Sequence, residues 1–160
     1  MDLSILAIGR LKAGPETELC KRYLERAGKT GRAHGLQGFA VRELPEGRAQ
    51  RPADRKAQEA ETLRAAIGSG FQTVCLHEGG DLIDSDGLAQ FIQRGAEQAL
   101  PGQAYIIGGP DGLDPELIDR CDRRLSFGRL TWPHQLVRVM LAEQLYRATT
   151  ILSGHPYHRA

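Results

Sequence analysis

The chain has 160 residues, of which 41% are hydrophobic and 26% charged, and its formal net charge is +1. This length fits one compact domain, and no apolar run approaches the roughly 20 residues that a membrane span requires. The composition therefore indicates a soluble globular protein with a single domain over residues 1–160, and it excludes a membrane-spanning one.

Strand and helix signals alternate along the chain, as is typical of helices that cross over a mostly parallel sheet. In chain order they predict strand 3–8, helix 15–27, strand 36–44, helix 53–67, strand 71–76, helix 85–100, strand 104–107, helix 115–121, strand 124–127 and helix 133–152. Two helix starts are well marked, by Asp84 before Ser85 and by the pair Asp114-Pro115. The predicted fold class is α/β, a mostly parallel sheet with helices on both faces.

Two further segments have a clear character. Residues 45–52 lack apolar periodicity, which predicts a mobile, basic surface loop. The last helix carries an apolar stripe that is predicted to be core or subunit contact, and it consists of Val137, Leu141, Leu145, Ala148 and Leu152.

The three cysteines lie far apart without a Cys-x-x-Cys pair, which favours reduced thiols over a disulfide framework or a zinc site. The first strand has no basic lead and no small-residue cleavage site after it, so nothing indicates a secretion signal. We therefore expect a cytoplasmic protein.

Arginine is concentrated near the end of the chain. From residue 123 onward there are six arginines against one acid, Glu143. Arginine suits phosphate, so this excess is compatible with an RNA surface, but solvated helix faces and ordinary ion pairs explain it equally well.

The strand 104–107 runs directly into Gly108, Gly109, Pro110, Asp111 and Gly112. In open α/β sheets ligands bind beyond the carboxyl ends of the strands, so Gly108 and Gly109 are candidates for cofactor contact. The alternative is a plain tight turn, because the spacing matches neither Gly-x-Gly-x-x-Gly nor a phosphate loop.

A second loop, residues 128–134, joins the fifth strand to the last helix. Its backbone is suited to grip the adenine of a nucleotide-like cofactor, with Leu130 and Trp132 as an apolar wall. Alternatively, Trp132 is a core residue. For His134, capping the helix and reaching a substrate are both open.

The tail contains two histidines, a tyrosine and an arginine within residues 155–159. Such side chains can hold a nucleotide by stacking and phosphate contact, and a histidine can accept a proton near neutral pH. A metal site on His155 and His158 is the alternative, but Pro156 opposes the helix that would bring them together.

Four segments in this order resemble one family closely. They are IGGPDG at 107–112, PHQLVR at 133–138, EQLYRA at 143–148 and HPYHR at 155–159. Together they resemble the bacterial large-subunit ribosomal RNA pseudouridine N3-methyltransferases of the SPOUT superfamily. The resemblance covers essentially the whole chain.

The resemblance implies a C-terminal trefoil knot, a homodimer, and S-adenosylmethionine as the methyl donor, with the assembled 70S ribosome rather than naked RNA as substrate. No metal is implied. The implied cofactor-binding residues are Leu76, Gly108, Gly109, Gly128, Arg129, Leu130, Thr131, Trp132 and Pro133. The residues implied around the target base, with the tail reaching across the dimer, are His134, Arg138, Tyr157, His158 and Arg159.

Methyl transfer to N3 requires the ring to lose a proton, and His134, His158 and Arg159 are the candidates to assist that loss. Two residues depart from the family's usual pattern: Arg129, where small or hydroxylic residues are common, and Asp111, where glutamate is more frequent. Arg129 can contact cofactor carboxylate, RNA phosphate or water. Two other classes of function stay open, a ribosome-docking protein without catalysis and a metal hydrolase that uses the tail histidines.

Overall fold

The protein is described by a computed structural model that covers residues 1–158. Its strands are β1 (Asp2–Ile8), β2 (Gln37–Leu44), β3 (Gln72–Leu82), β4 (Gly102–Ile107) and β5 (Arg123–Ser126). Its α-helices are α1 (Pro15–Gly31), α2 (Pro52–Ala66), α3 (Ser85–Glu97), α4 (Pro115–Arg120) and α5 (His134–Leu152). The five strands form one parallel sheet in the order β2-β1-β4-β3-β5.

Helices cover both faces of this sheet. Successive strand residues point to opposite faces, so Ile5 joins the core under α1, α3 and α5, while its neighbour Leu6 joins the core under α2 and α4. Strand β4 lies in the middle of the sheet, and all six of its residues are buried. The predicted α/β class is confirmed, and the trefoil knot stays a prediction.

Helix α5 supplies much of the larger core. Leu141, Leu145 and Ala148 are completely buried, and Val137 and Leu152 are partly buried against the same cluster. The predicted apolar stripe is therefore confirmed as core. No helix among residues 1–158 is long and apolar enough to cross a membrane.

Strand β3 is longer than the predicted 71–76. It continues to Leu82 after a register shift, and Asp81 and Leu82 pair with Leu125 and Ser126 of β5. The chain beyond Leu76 is therefore held against β5 instead of leaving the sheet.

The prediction of a mobile loop at 45–52 is wrong, because this loop is fastened to α2 by hydrogen bonds. Gly47 N donates to Glu59 Oε1 at 2.9 Å, and Arg48 N donates to Gln58 Oε1 at 3.0 Å. In return, Arg55 donates to the carbonyl oxygens of residues 49 and 50, at 3.1 and 2.8 Å. These bonds fix the loop backbone on the surface.

Candidate functional site

A cavity of about 650 Å³ opens at the carboxyl ends of β3, β4 and β5. Its wall is formed mainly by residues 76–78, 107–113, 125–128 and 130–132, with Lys56 of α2 on one side. The volume lies within the 300–1,000 Å³ typical of small-molecule sites, and the position is the expected one for a ligand in an open α/β sheet.

The structure brings most of the predicted site residues to this one cavity. Those in its wall are Leu76, Gly108, Gly109, Gly128, Leu130, Thr131, Trp132 and His134. Arg129 and Pro133 belong to the same loop but are not part of the wall. Contact of these residues with a cofactor stays a prediction.

The glycine segment is a tight turn and a cavity wall at once, so the two interpretations left open by the sequence are compatible. Gly112 N donates to Gly109 O at 3.0 Å, and Gly112 has a φ of 81°, a backbone angle that residues with a side chain rarely adopt. A Cβ at Gly108 would lie 2.9 Å from the carbonyl carbon of Gly112, so the turn closes only without a side chain there.

Two residues of helix α2, Arg55 and Glu59, support the glycine turn. Arg55 donates to both oxygens of Asp111, at 2.7 and 3.1 Å, and this contact lowers the pKa of Asp111. Glu59 is only 4% exposed, and burial raises the pKa of its carboxyl group. A Cβ at Gly109 would lie 3.4 Å from both Glu59 carboxylate oxygens. The turn therefore rests directly on α2.

The hydroxyl of Ser126 holds the start of the loop before α5. Ser126 Oγ accepts from Gly128 N at 3.1 Å, and it lies 2.9 Å from the carbonyl oxygen of Gly128 and 3.1 Å from that of Glu78 in β3, either of which can accept its proton. Leu130 is 71% exposed and Trp132 39% exposed, although both line the cavity. The alternative of Trp132 as a core residue is therefore wrong.

His134 is the first residue of α5, and it lines the cavity and does not cap the helix. Pro133 occupies the N-cap position, and no side chain caps this helix end. The free amide groups of the first helical turn leave a partial positive charge beside the cavity.

Arg138, predicted near the target base, is not brought to the cavity. Its side chain is 0% exposed and ion-paired with Glu43, with Nη1 and Oε1 2.9 Å apart. Its other terminal nitrogen donates to the carbonyl oxygens of Ile8 and Gly9, at 2.6 and 2.8 Å. Arg138 therefore joins α5 to the ends of β1 and β2 in the interior.

The described part of the tail packs against its own α5, away from the cavity. Tyr157 donates to Glu143 Oε1 at 3.0 Å, and its ring centroid lies 4.7 Å from that of Tyr146. His158 Nδ1 lies 3.5 Å from Arg147 Nη1. Burial and the hydrogen bonds raise the pKa of Tyr157, so its hydroxyl stays protonated at neutral pH. Arg159 lies outside the described residues.

Helix geometry separates these two groups of residues. His134 and Arg147 stand 13 positions apart on α5, which corresponds to about 20 Å along the helix axis. Within one chain, the cavity and the tail therefore form two sites. Among residues 1–158, no three His, Cys, Asp or Glu side chains are grouped closely enough to hold a metal ion.

Lys56, His77 and Glu78 also line the cavity, and sequence reasoning missed them. A usable signal existed for two of them, because His77 and Glu78 directly follow Leu76 at the predicted end of a strand. Gly79 N donates to His77 Nδ1 at 3.0 Å, so a neutral His77 carries its proton on Nε2. No comparable signal marks Lys56, which reaches the cavity from a helix.

A family model described as "Predicted SPOUT methyltransferase" matches residues 1–158. The chain belongs to the SPOUT methyltransferase family. One similar relative is the "Ribosomal RNA large subunit methyltransferase H" of Methylocella silvestris, which is 50% identical over 159 residues, with 99% of each chain covered. Another is the protein of the same name from Allorhizobium ampelinum, which is 50% identical over 160 residues, with 100% of each chain covered. The resemblance read from the motifs is thus confirmed at the level of the family.

Among solved structures, this SPOUT methyltransferase is similar to a probable methylase family protein from Haemophilus influenzae. The TM-score is 0.48 at 13% identity, and the match covers 99% of this chain and 70% of that one.

Proposed function

We propose that residues 1–160 form one methyltransferase domain that transfers a methyl group from S-adenosylmethionine to N3 of a pseudouridine in large-subunit ribosomal RNA. We further propose the 70S ribosome as substrate, the cytoplasm as location and a homodimer as the working form. The observation that carries the proposal is the cavity, in whose wall eight residues expected at the cofactor and the target base lie together.

The cavity suits S-adenosylmethionine in size and chemistry. The glycine turn and residues 126–131 offer backbone amides and carbonyls, which can recognise an adenine, and Leu130 and Trp132 provide apolar surface for its ring. Glu78 and Lys56 add one charge of each sign for the hydroxyl, ammonium and carboxylate groups of the ligand. When bound, S-adenosylmethionine supplies an electrophilic methyl group on a sulfonium.

His134 is the chain's candidate for handling the N3 proton. His134 lines the cavity and is the first residue of α5. A neutral imidazole can accept the proton that N3 must lose. Tyr157, whose raised pKa keeps its hydroxyl protonated, can donate a hydrogen bond but cannot act as the base.

The tail supports the proposed homodimer. Tyr157 bonds to Glu143 and His158 lies beside Arg147, about 14 and 20 Å along α5 from His134 of the same chain, which favours a site completed by the tail of a second copy. Exposed apolar residues surround the start of α5, as expected of a surface that a partner covers, and these are Leu130, Trp132 and Leu136.

The test is to incubate ribosomes that lack the modification with purified protein and S-adenosylmethionine labelled in the methyl group, and then to map the labelled nucleotide. We expect one pseudouridine of the large-subunit RNA to carry the label. His134→Ala should lower single-turnover methylation at least about 100-fold, the usual contribution of a positioned proton acceptor, while the affinity for S-adenosylmethionine in calorimetric titration is unchanged. Label elsewhere, or none with wild-type protein that binds the donor, would contradict the proposal.

A further inference from the structure

The backbone of loop 45–52 is held in place by hydrogen bonds to α2. Arg48 N and Ala49 N both donate to Gln58 Oε1, at 3.0 and 3.3 Å, and Gly47 N donates to Glu59. The Arg48 side chain extends from this fastened backbone and is exposed. The backbone entropy that a flexible loop would lose when a partner binds is therefore already lost on folding.

This loop meets the loop that follows β1. A Cβ at Gly9 would lie 2.9 Å from Glu46 Oε1, so residues 9 and 46 are in contact. Arg10 follows Gly9 directly, Lys12 lies two residues further on, and both are exposed. The three cations Arg10, Lys12 and Arg48, together called the basic rim, therefore lie on two adjoining loops.

The three cations of the basic rim form no ion pair with the described acids. Within residues 1–158, none of its three members has a carboxylate oxygen within 4.0 Å. Among the neighbouring acids, Asp54 pairs with Arg51 and Asp111 with Arg55. Two acids lie at the rim itself: Glu46 contacts Gly9, and Glu43 accepts from Leu11 N at 2.7 Å and pairs with Arg138.

The basic rim adjoins the cavity through β1 and α2. Ile8, the last residue of β1, packs against Gly109 of the glycine turn, where a Cβ would lie 2.9 Å from Ile8 Cγ2. Lys56 of α2 lines the cavity itself, and Arg55 beside it holds both Asp111 and the loop carbonyls. A chain of contacts therefore joins the rim to the cavity.

We propose that the basic rim binds backbone phosphates of the ribosomal RNA strand that delivers the target base to the cavity. This inference rests on the proposed function and names its RNA-contact surface. Exposed cations without acidic partners are suited to a polyanion, and the planar fork of Arg48 fits a phosphate. Phosphate contacts position a nucleic acid without reading its sequence, which is what an enzyme with one fixed target needs outside its pocket.

The test compares the double variant Arg10→Ala/Arg48→Ala with wild-type protein on ribosomes that lack the modification. We expect KM for ribosomes to rise roughly tenfold with kcat and S-adenosylmethionine affinity unchanged. The slope of log Kd against log salt for ribosome co-sedimentation should fall by about 1 for each phosphate that the variant no longer binds. The matched control is Lys29→Ala/Arg32→Ala, which removes the same charge at the other end of α1.

An unchanged KM and salt slope in the rim variant, or an equal effect in the control, would overturn the inference. A photo-crosslinker at position 48 identifies the partner: an adduct on RNA supports the inference, and adducts on ribosomal proteins alone overturn it. Co-sedimentation needs no turnover, so a failed inference is distinguishable from a failed function. Wild-type protein that binds through the rim without methylating would refute only the function.

Discussion

Replacing Arg138 tests whether this residue stabilises the fold or contacts the substrate. Arg138→Met keeps most of the volume of the side chain but removes its charge and all its donors. The change leaves the carbonyl groups of Ile8 and Gly9 without their partner and Glu43 without its counter-ion. Because these groups hold the end of β1 against α5, we expect the whole fold to lose stability.

The size of the destabilisation follows from the burial of the pair. Removing one member of a buried ion pair costs about 3–5 kcal/mol of unfolding free energy. The Glu43 side chain is 32% exposed, so water can solvate the abandoned carboxylate, and the lower end, about 3 kcal/mol, applies. For a chain of this length each kcal/mol lowers Tm by about 2–4 °C, which predicts a fall of about 6–12 °C.

The assay is thermal unfolding followed by circular dichroism, together with calorimetric titration of S-adenosylmethionine at a temperature where the variant is folded. Arg120→Met is the matched control, because its partner Glu116 and Arg120 itself are both mostly exposed. That pair is worth less than about 1 kcal/mol, so its Tm should change by less than about 4 °C. If Arg138→Met melts within about 2 °C of wild type yet abolishes methylation, Arg138 acts on the substrate and the structural assignment is refuted.

Three further predictions follow from the cavity and its support. Gly109→Ala places a Cβ 2.9 Å from Ile8 Cγ2, so it should lower the free energy of unfolding by about 1–3 kcal/mol and weaken the binding of S-adenosylmethionine. In the control Gly28→Ala, inside α1, the new Cβ makes an ordinary contact at 3.9 Å, so denaturant titration should show an unchanged or higher stability. Trp132 is the one tryptophan of the chain, so binding of S-adenosylmethionine should change the protein's fluorescence, and an unaltered spectrum at calorimetric saturation would place the ligand elsewhere. Burial raises the pKa of Glu59, so the native state binds its proton more tightly than the unfolded state, and stability is lost as pH rises from the unfolded value through the folded one. Glu59→Gln should therefore gain Tm relative to wild type at about pH 7 but not at about pH 4, and equal differences at the two pH values would exclude a charge penalty.

The sequence predicted all ten major elements of the fold in their order, because apolar periodicity and helix caps are local signals. The extension of β3 was missed since Gly79 and Gly80 resemble a turn, and the pairing of Asp81 and Leu82 with β5 depends on a strand more than 40 residues away. The fastened conformation of loop 45–52 was missed for a similar reason. It arises from polar side chains of α2, Gln58 and Glu59, that bond to the loop backbone.

The candidate site was predictable where residues follow strands, and less so elsewhere. Parallel strands end at one edge of the sheet, so Leu76, Gly109 and the loop at 128–132 were bound to meet there. Arg138 lies one helical turn after His134, yet its side chain is buried and held by Glu43 and by the carbonyl groups at the end of β1. The sequence around an arginine does not show whether the side chain forms a buried ion pair or contacts the substrate.

The length of α5 decides whether the tail can serve the cavity of its own chain. The 19-residue helix is about 28 Å long, and Tyr157, five residues past its end, can reach back at most about 18 Å along an extended chain. Even a tail released from Glu143 would leave the Tyr157 backbone about 10 Å short of the start of α5. If the tail of one chain completes the cavity of the other, mixing inactive His134→Ala protein with an inactive Tyr157→Ala protein should restore methylation in the mixed dimers. A mixture as inactive as its components, with exchange of subunits verified by mass spectrometry, would show that the tail does not act across the dimer.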